Sequence, residues 1–312
     1  MMNKPRVLLF LSILFLNAAD CSSYFTEDDA GTAGAQFLKV GVGARAVAMG
    51  EAFGAVCEDA NTVYWNPSGL SILHRKEASF SHTVWFEDIN YENASFVIPA
   101  KSGSFGLLAS YVSIGTIDKV DNQGNESGES FTPVDMALCA GYGSAIGKKF
   151  RLGAVIKYIS SRIEDESAAA FAADAGILYR TKENKLNFGF VVQNAGTQLK
   201  YIEEGYSLPL NIKIASAFKL KKRKLLLTLD LNAPIDNSPR LNAGVEYNYR
   251  HSKLLLSPRA GYKTNTKGQE GDFVSGISGG FGIKYLSIAT DYAWVPYGDL
   301  GQAHIITLSM KF

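Results

Sequence analysis

Val134-Asp135-Met136-Ala137-Leu138-Cys139-Ala140-Gly141-Tyr142-Gly143-Ser144-Ala145-Ile146 reads in steps of two. The even positions are Val, Met, Leu, Ala, Tyr, Ser and Ile; the odd positions are small or polar. Such alternation marks a β-strand with one apolar face. It is sustained well beyond the roughly 5–6 residues of an ordinary strand.

The same period continues on both sides of this stretch. Upstream, Ala78, Phe80, His82, Val84 and Phe86 share a face, as do Phe105, Leu107, Ala109 and Tyr111. Downstream, Phe150, Leu152, Ala154, Ile156 and Tyr158 form one set, and Phe171, Ala173, Ala175, Ile177 and Tyr179 the next. Further sets follow to Leu286, Ile288, Tyr292 and Trp294. About fourteen such segments are predicted, each near the roughly 9–11 residues that a tilted strand needs to cross a bilayer. The faces opposite carry Arg151, Lys157, Asp174, Arg180, Lys213, Asp230, Glu246, Arg259 and Asp291. A wet or ion-paired lumen accommodates these charges; the dry core of a soluble sandwich does not. Glu246 and Arg259 fall on consecutive strands and are expected to pair. Aromatics such as Phe150, Tyr158, Phe171, Tyr179, Tyr247, Tyr249 and Trp294 are expected near the ends of the apolar faces, as a girdle.

Connections sort by length. Short ones are expected at Ala100–Ser102, Gly147–Lys149, Thr181–Asn184, Lys221–Arg223, Arg250–Ser252 and Lys284–Tyr285. Longer polar ones are expected at Thr116–Thr132, Gly196–Leu208, Asn232–Ser238, Thr264–Gly271 and Val295–Gly301. Bacterial barrels have short periplasmic turns and long outer loops. The fold class is therefore all-β: a transmembrane antiparallel β-barrel over residues 74–312. The chain ends on a strand whose apolar face is Ile306, Leu308, Met310 and Phe312, an expected signal for the outer-membrane assembly machinery.

Residues 1–23 have the form of a secretory signal peptide. Lys4 and Arg6 precede an apolar run from Val7 to Leu16, and Ala18 and Ala19 follow. The run is too short for a membrane anchor, which needs about 20 residues. Cys21 raises lipidation as a rival, but Asp20 before it fits such a site poorly. Cleavage and outer-membrane localisation in a Gram-negative-type bacterium are expected, with membrane lipid as the surrounding partner.

Residues 24–73 differ. Glycines interrupt an Ala-rich stretch, and Asn66-Pro67-Ser68-Gly69 forms a turn. The piece is too small for a core of its own, since burial is marginal below about 60 residues. Within a barrel it is expected to form a plug or hatch, with Gly41, Gly43, Arg45, Gly50, Asp59, Asn66 and Pro67 as gating candidates. Arg45 is expected to seek lumen carboxylates. Pro67 is expected to hold Asn66 extended. Gly41-Val42-Gly43-Ala44-Arg45-Ala46 also matches a dinucleotide fingerprint, but no helix–strand alternation follows it.

The run from Phe37 to Phe53, with Glu58-Asp59-Ala60 and Tyr64-Trp65-Asn66-Pro67-Ser68-Gly69-Leu70, resembles the PorV/PorQ family, relatives of the FadL-type fatty-acid channels. The resemblance covers essentially the whole mature chain. Ser68 stands where FadL-type plugs carry Ala. The resemblance implies a fourteen-strand barrel with an N-terminal hatch. It implies either uptake of hydrophobic small molecules, the favoured reading, or a PorV-like role in type IX secretion that holds exported proteins. The partner would thus be a hydrophobic ligand or an exported protein.

With 31 Lys and Arg against 30 Asp and Glu, no field of one sign exists to attract nucleic acid. No cofactor is expected. His74, His82, His251 and His304 lack metal-ligand spacing, and no nucleophile motif appears, so the chain is not read as an enzyme.

Overall fold

The computed structural model describes residues 29–85, 89–121, 123–220, 224–264 and 276–312. The expected signal peptide and Cys21, Phe86, the turn at Lys221–Arg223 and most of the loop at Thr264–Gly271 lie outside the described residues.

Fourteen strands form the wall. They are β1 (Glu77–Val84), β2 (Asn90–Ala100), β3 (Gly103–Ser113), β4 (Val134–Ile146) and β5 (Phe150–Ile163). Next come β6 (Glu166–Arg180), β7 (Leu186–Gly196), β8 (Asn211–Leu220) and β9 (Leu225–Pro234). The last are β10 (Arg240–Tyr247, resumed as Tyr249–His251), β11 (Leu254–Lys263), β12 (Ile277–Tyr285), β13 (Ile288–Pro296) and β14 (Gln302–Lys311). Every strand is antiparallel to its sequence neighbours, and β1 pairs with β14 from Glu77↔Lys311 to Val84↔His304, so the sheet closes on itself. Closure removes the free edges that an open sheet would leave unpaired in lipid.

The period of two sets the two surfaces. Phe80, Phe105, Ile156, Phe171 and Ile306 point outward and are more than half exposed, while their chain neighbours are buried. A bulge between Ala173 and Ala175 interrupts the β6–β7 register, where the Asn194 backbone N–H donates to Asp174 Oδ1 at 2.7 Å. Tyr158 and Phe171 pair at 5.5 Å between centroids in mid-wall, away from any girdle, because β5 and β6 outrun their neighbours.

Two short turns lie beyond the expected positions. Tyr249–His251 and Lys284–Tyr285 belong to strands, and the reversals fall at Ser252–Lys253 and Leu286–Ser287. Ser252 and Leu286 take φ of 54°, the positive values that two-residue hairpins require. At the other end, Thr116–Thr132 is not an irregular loop but holds a hairpin, Ile117–Val120 with Glu126–Phe131. A smaller one, Leu199–Lys200 with Gly205–Tyr206, lies within Gly196–Leu208. One connection at this end is short: Glu164–Asp165 joins β5 and β6 directly.

The N-terminal segment lies against the inward face. It contains two single-turn helices, α1 (Ala44–Val47) and α2 (Thr62–Trp65), and 3₁₀ turns at Gln36–Lys39 and Pro67–Ile72. The core forms between this segment and the wall: Val42, Met49, Phe53, Val63 and Leu70 are fully buried, as are Ile159 and Leu178 from β5 and β6. Two backbones meet so closely that only glycine fits. A Cβ at Gly153 would stand 2.2 Å from the Pro67 carbonyl oxygen, and one at Gly261 would stand 1.9 Å from the Gly50 nitrogen. No helix among the described residues is long and apolar enough to cross a membrane; the crossing is made by strands.

Candidate functional site

The inward charges and the segment's own charges meet around Arg45. Gly43, at φ 86°, turns the chain into α1 and so aims Arg45 at the wall. Arg45 Nε and Nη2 donate to Glu246 Oε2 and Oε1 at 2.8 and 2.9 Å, a two-pronged pair of the kind guanidinium geometry favours. Its Nη1 lies 3.3 Å from Asp59, its Nη2 3.5 Å from Glu58, and Phe53 lies under the guanidinium at 5.4 Å. Arg259 bridges Glu246 and Asp291, at 2.7 Å to each. Burial alone would push the Asp59 carboxyl up, and despite Arg45 and Lys311 it stays above its ordinary range. Burial acts on Glu58 in the same sense, but Lys219 and Arg45 outweigh it and hold Glu58 below the usual range.

Elsewhere the inward charges have separate partners. Lys157 pairs with Asp174 at 2.7 Å at the bulge. Lys213 caps the Trp65 ring at 4.7 Å, and Asp230 Oδ2 accepts from the Gly54 N–H at 2.8 Å. Arg151 occupies an inward register position at the short-turn end, where it donates to the carbonyls of Phe150 and Gly147 rather than joining the lumen network. Arg180 lies at the same end, its backbone N–H on Lys149 O.

The remaining candidates in the segment have structural contacts. Asn66 is extended (φ −164°) and begins the 3₁₀ turn with Pro67 behind it. Its Oδ1 accepts from the Ser68 N–H and hydroxyl, and its Nδ2 donates to Gly54 O at 2.7 Å. Gly50, at φ 63°, donates its N–H to Ser278 and accepts from Asn242. Gly41 lies under Val47 and Glu51. That Asn242 contact ends a ladder of amides on four adjacent strands: Gln193, Asn211, Asn232, Asn242.

Sequence reasoning left out four ion pairs: Glu51–Lys263, Glu58–Lys219, Glu77–Lys311 and Lys39–Asp236. Strand parity could have found Lys219, which shares a face with Lys213, Lys263, which shares one with Arg259, and both members of Glu77–Lys311, but neither member of Lys39–Asp236. The segment-side partners carry no periodic signal.

At the long-loop end a cavity of about 310 Å³ opens between the segment and the wall. Phe37 and Val40 face Trp85, Val112 and Ile114 across it. One side is polar: the Tyr201 hydroxyl donates to Ser161 Oγ, which donates to Asp135. The volume falls at the lower end of the roughly 300–1,000 Å³ typical of small-molecule sites. An apolar body with a single polar group matches this lining. His82 and His304 face outward from their strands, His82 beside Glu92 and His304 beside Tyr292, and His251 lies at the end of β10. Among the described residues no cluster of three His, Cys, Asp or Glu is set to hold a metal.

A closed fourteen-strand wall, apolar outside and charged inside, defines an outer-membrane β-barrel with a filled lumen. Residues 24–240 match the family described as "Type IX secretion system protein PorV", and the chain belongs to that family. Among solved structures it is similar to the "CymD monoaromatic hydrocarbon channel", at 11% identity and TM-score 0.60, covering 88% of this chain and 98% of that one. The "TodX monoaromatic hydrocarbon channel deltaS2 mutant" is similar at 10% identity and TM-score 0.61, with 86% and 98% covered. A FadL homologue of Pseudomonas aeruginosa is similar at 11% identity and TM-score 0.51, with 83% and 95% covered. These likenesses are of fold. No curated protein sequence matches the chain.

Proposed function

We propose that the protein admits small hydrophobic molecules through the outer membrane, taking them up in the cavity at its outer mouth. The observation that carries this reading is the cavity itself: apolar on most sides, with one polar edge, and floored by the N-terminal segment. Residues 24–73 act as the hatch in this reading, and residues 1–23 as a signal peptide removed on export. Ile306, Leu308, Met310 and Phe312 serve as the assembly signal. The solved channels named for monoaromatic hydrocarbons support the substrate class by likeness of fold.

Vesicles carrying the full-length protein are expected to take up toluene or a long-chain fatty acid faster than empty vesicles. Val112→Asp places an unpaired charge in the cavity and should remove most of the gain. Uptake equal to that of empty vesicles would overturn the reading.

Family membership favours a second reading, a component of type IX secretion that engages exported proteins. A strain lacking the protein separates the two. Loss of exported proteins from the cell surface with hydrocarbon uptake unchanged would select the secretion role.

A further inference from the structure

A smaller cavity, of about 50 Å³, lies along the amide ladder, where Asn211 and Asn232 form part of its lining. The N-terminal segment closes it with Leu38, Lys39, Glu51 and Trp65, so segment and wall both contribute. It is separate from the apolar cavity: Phe37 and Val40, in and just after the same 3₁₀ turn, line that one instead.

Two lysines at this place are matched, Lys39 with Asp236, and Lys263 with Glu51 at 3.0 Å. Lys213 and Arg240 line the cavity and are not. Lys213 is 3% exposed, yet its ammonium faces only the Trp65 ring, at 4.7 Å, and makes no hydrogen bond or ion pair among the described residues. The carboxylates that act on it from a distance are Asp230 and Glu51. Asp230 Oδ2 is held by the Gly54 N–H and Glu51 Oε1 by Lys263. Arg240 enters no ion pair among the described residues, and of its nitrogens only Nε is shielded from solvent. A guanidinium cannot shed its charge. Burial would raise the Glu51 carboxyl, but Lys263, Arg240 and Lys213 together hold it below its usual range, so three cations crowd one acid. A buried charge without a partner is strongly destabilising. One negative charge between Lys213 and Arg240 relieves both.

We propose that this cavity binds one small monovalent anion, chloride or formate in size, between the Lys213 ammonium and the Arg240 guanidinium. Roughly 10–15 Å³ of cavity suffices for one water, so this one admits an ion of a few atoms but no acyl chain. Because segment and wall each supply part of the lining, the ion binds only the assembled protein and ties the two together. This holds whichever molecule or protein the barrel serves.

The test is a urea titration of the full-length protein in vesicles at fixed ionic strength, with chloride or formate replacing gluconate on both sides of the membrane. Gluconate, a sugar acid, is too large for the cavity. For one bound ion, each tenfold rise in concentration above its dissociation constant should raise the folded-to-unfolded ratio about tenfold. A response to chloride, to formate or to both identifies the ion. Arg240→Gln removes the unmatched charge, so it should be more stable than wild type in gluconate and should lose the response. Wild type should then overtake it as chloride or formate rises. Lys213→Met should weaken the response in the same sense. Lys148→Gln, at an exposed turn, should keep it in full. Heat-modifiable gel mobility checks that each variant is folded. No response of wild type to either anion would overturn the proposal. So would a response undiminished in Arg240→Gln, with a fixed loss of stability at every anion concentration, the mark of a structural role alone.

Discussion

Arg45 is the residue on which most of the lumen's charge converges, and its removal has a computable direction. Arg45→Ala leaves Glu246, almost fully buried, with Arg259 as its one remaining ion-pair partner beside the Asn248 amide, and strips Asp59 of its nearest cation. Breaking a buried pair on one side costs about 3–5 kcal/mol; partial water access to Arg45 places the expected loss near the lower figure. Urea titration of the vesicle-embedded barrel would measure it. Arg45→Lys keeps the charge but not the two-pronged geometry and should recover only part of the loss. Neighbouring carboxyls should respond to pH with opposite signs. Asp59 has its folded pKa raised, so its charged form weakens the fold at neutral pH, and that penalty fades as pH falls. Asp59→Asn should therefore stabilise at neutral pH, with a gain that shrinks on acidification. Glu58 has its folded pKa lowered, so it contributes stability above its unfolded pKa and loses it as pH falls through the folded one. Glu58→Gln should cost stability at neutral pH, with a cost that disappears in acid. A common pH response for both variants would contradict these assignments.

At the scale of elements, the contact between wall and segment depends on missing side chains. Gly153→Ala would drive a methyl into Pro67 O and displace the 3₁₀ turn, an overpacking expected to cost about 1–3 kcal/mol. Gly279→Ala meets its nearest atom only at 4.0 Å and should stay within about 0.5 kcal/mol of wild type in the same urea titration. The last strand offers a separate test. Phe312 closes the seam, its N–H on Lys76 O at 3.0 Å and its ring 6.1 Å from Phe96. Deleting Phe312 should lower the heat-modifiable fraction recovered from outer membranes. Which face each strand presents was legible in the sequence, because lipid on one side and a polar interior on the other leave a period of two. The ends of strands were not. Tyr285 gives no sign that the strand runs to it, and Leu286 is a bulky residue in a left-handed turn that no Asn-Gly pair announces. The hairpin within Thr116–Thr132 was hidden for a related reason: with solvent on both faces, its strands carry no apolar stripe. Within the segment, Arg45 could be expected to seek a lumen carboxylate, but the choice of Glu246 depends on an approach between residues two hundred positions apart.

For the whole molecule, the lumen is occupied by residues of the same chain, and removing them should expose it. A protein lacking Gly31 through Leu70 but still folded is expected to raise the permeability of liposomes to small solutes, read by osmotic swelling. No rise, with the barrel demonstrably assembled, would count against a hatch. The inward charges also bear on how such a barrel can be built correctly. Shifting any strand by one residue reverses its faces, so β5 would turn Lys157 toward lipid, and β11 would do the same with Arg259. A Lys or Arg on the lipid side near mid-membrane costs about 2–4 kcal/mol. A shift by two keeps the faces but parts Glu77 from Lys311 at the closing seam. Charges distributed around the ring thus act as registration marks, making misaligned closures unstable one strand at a time.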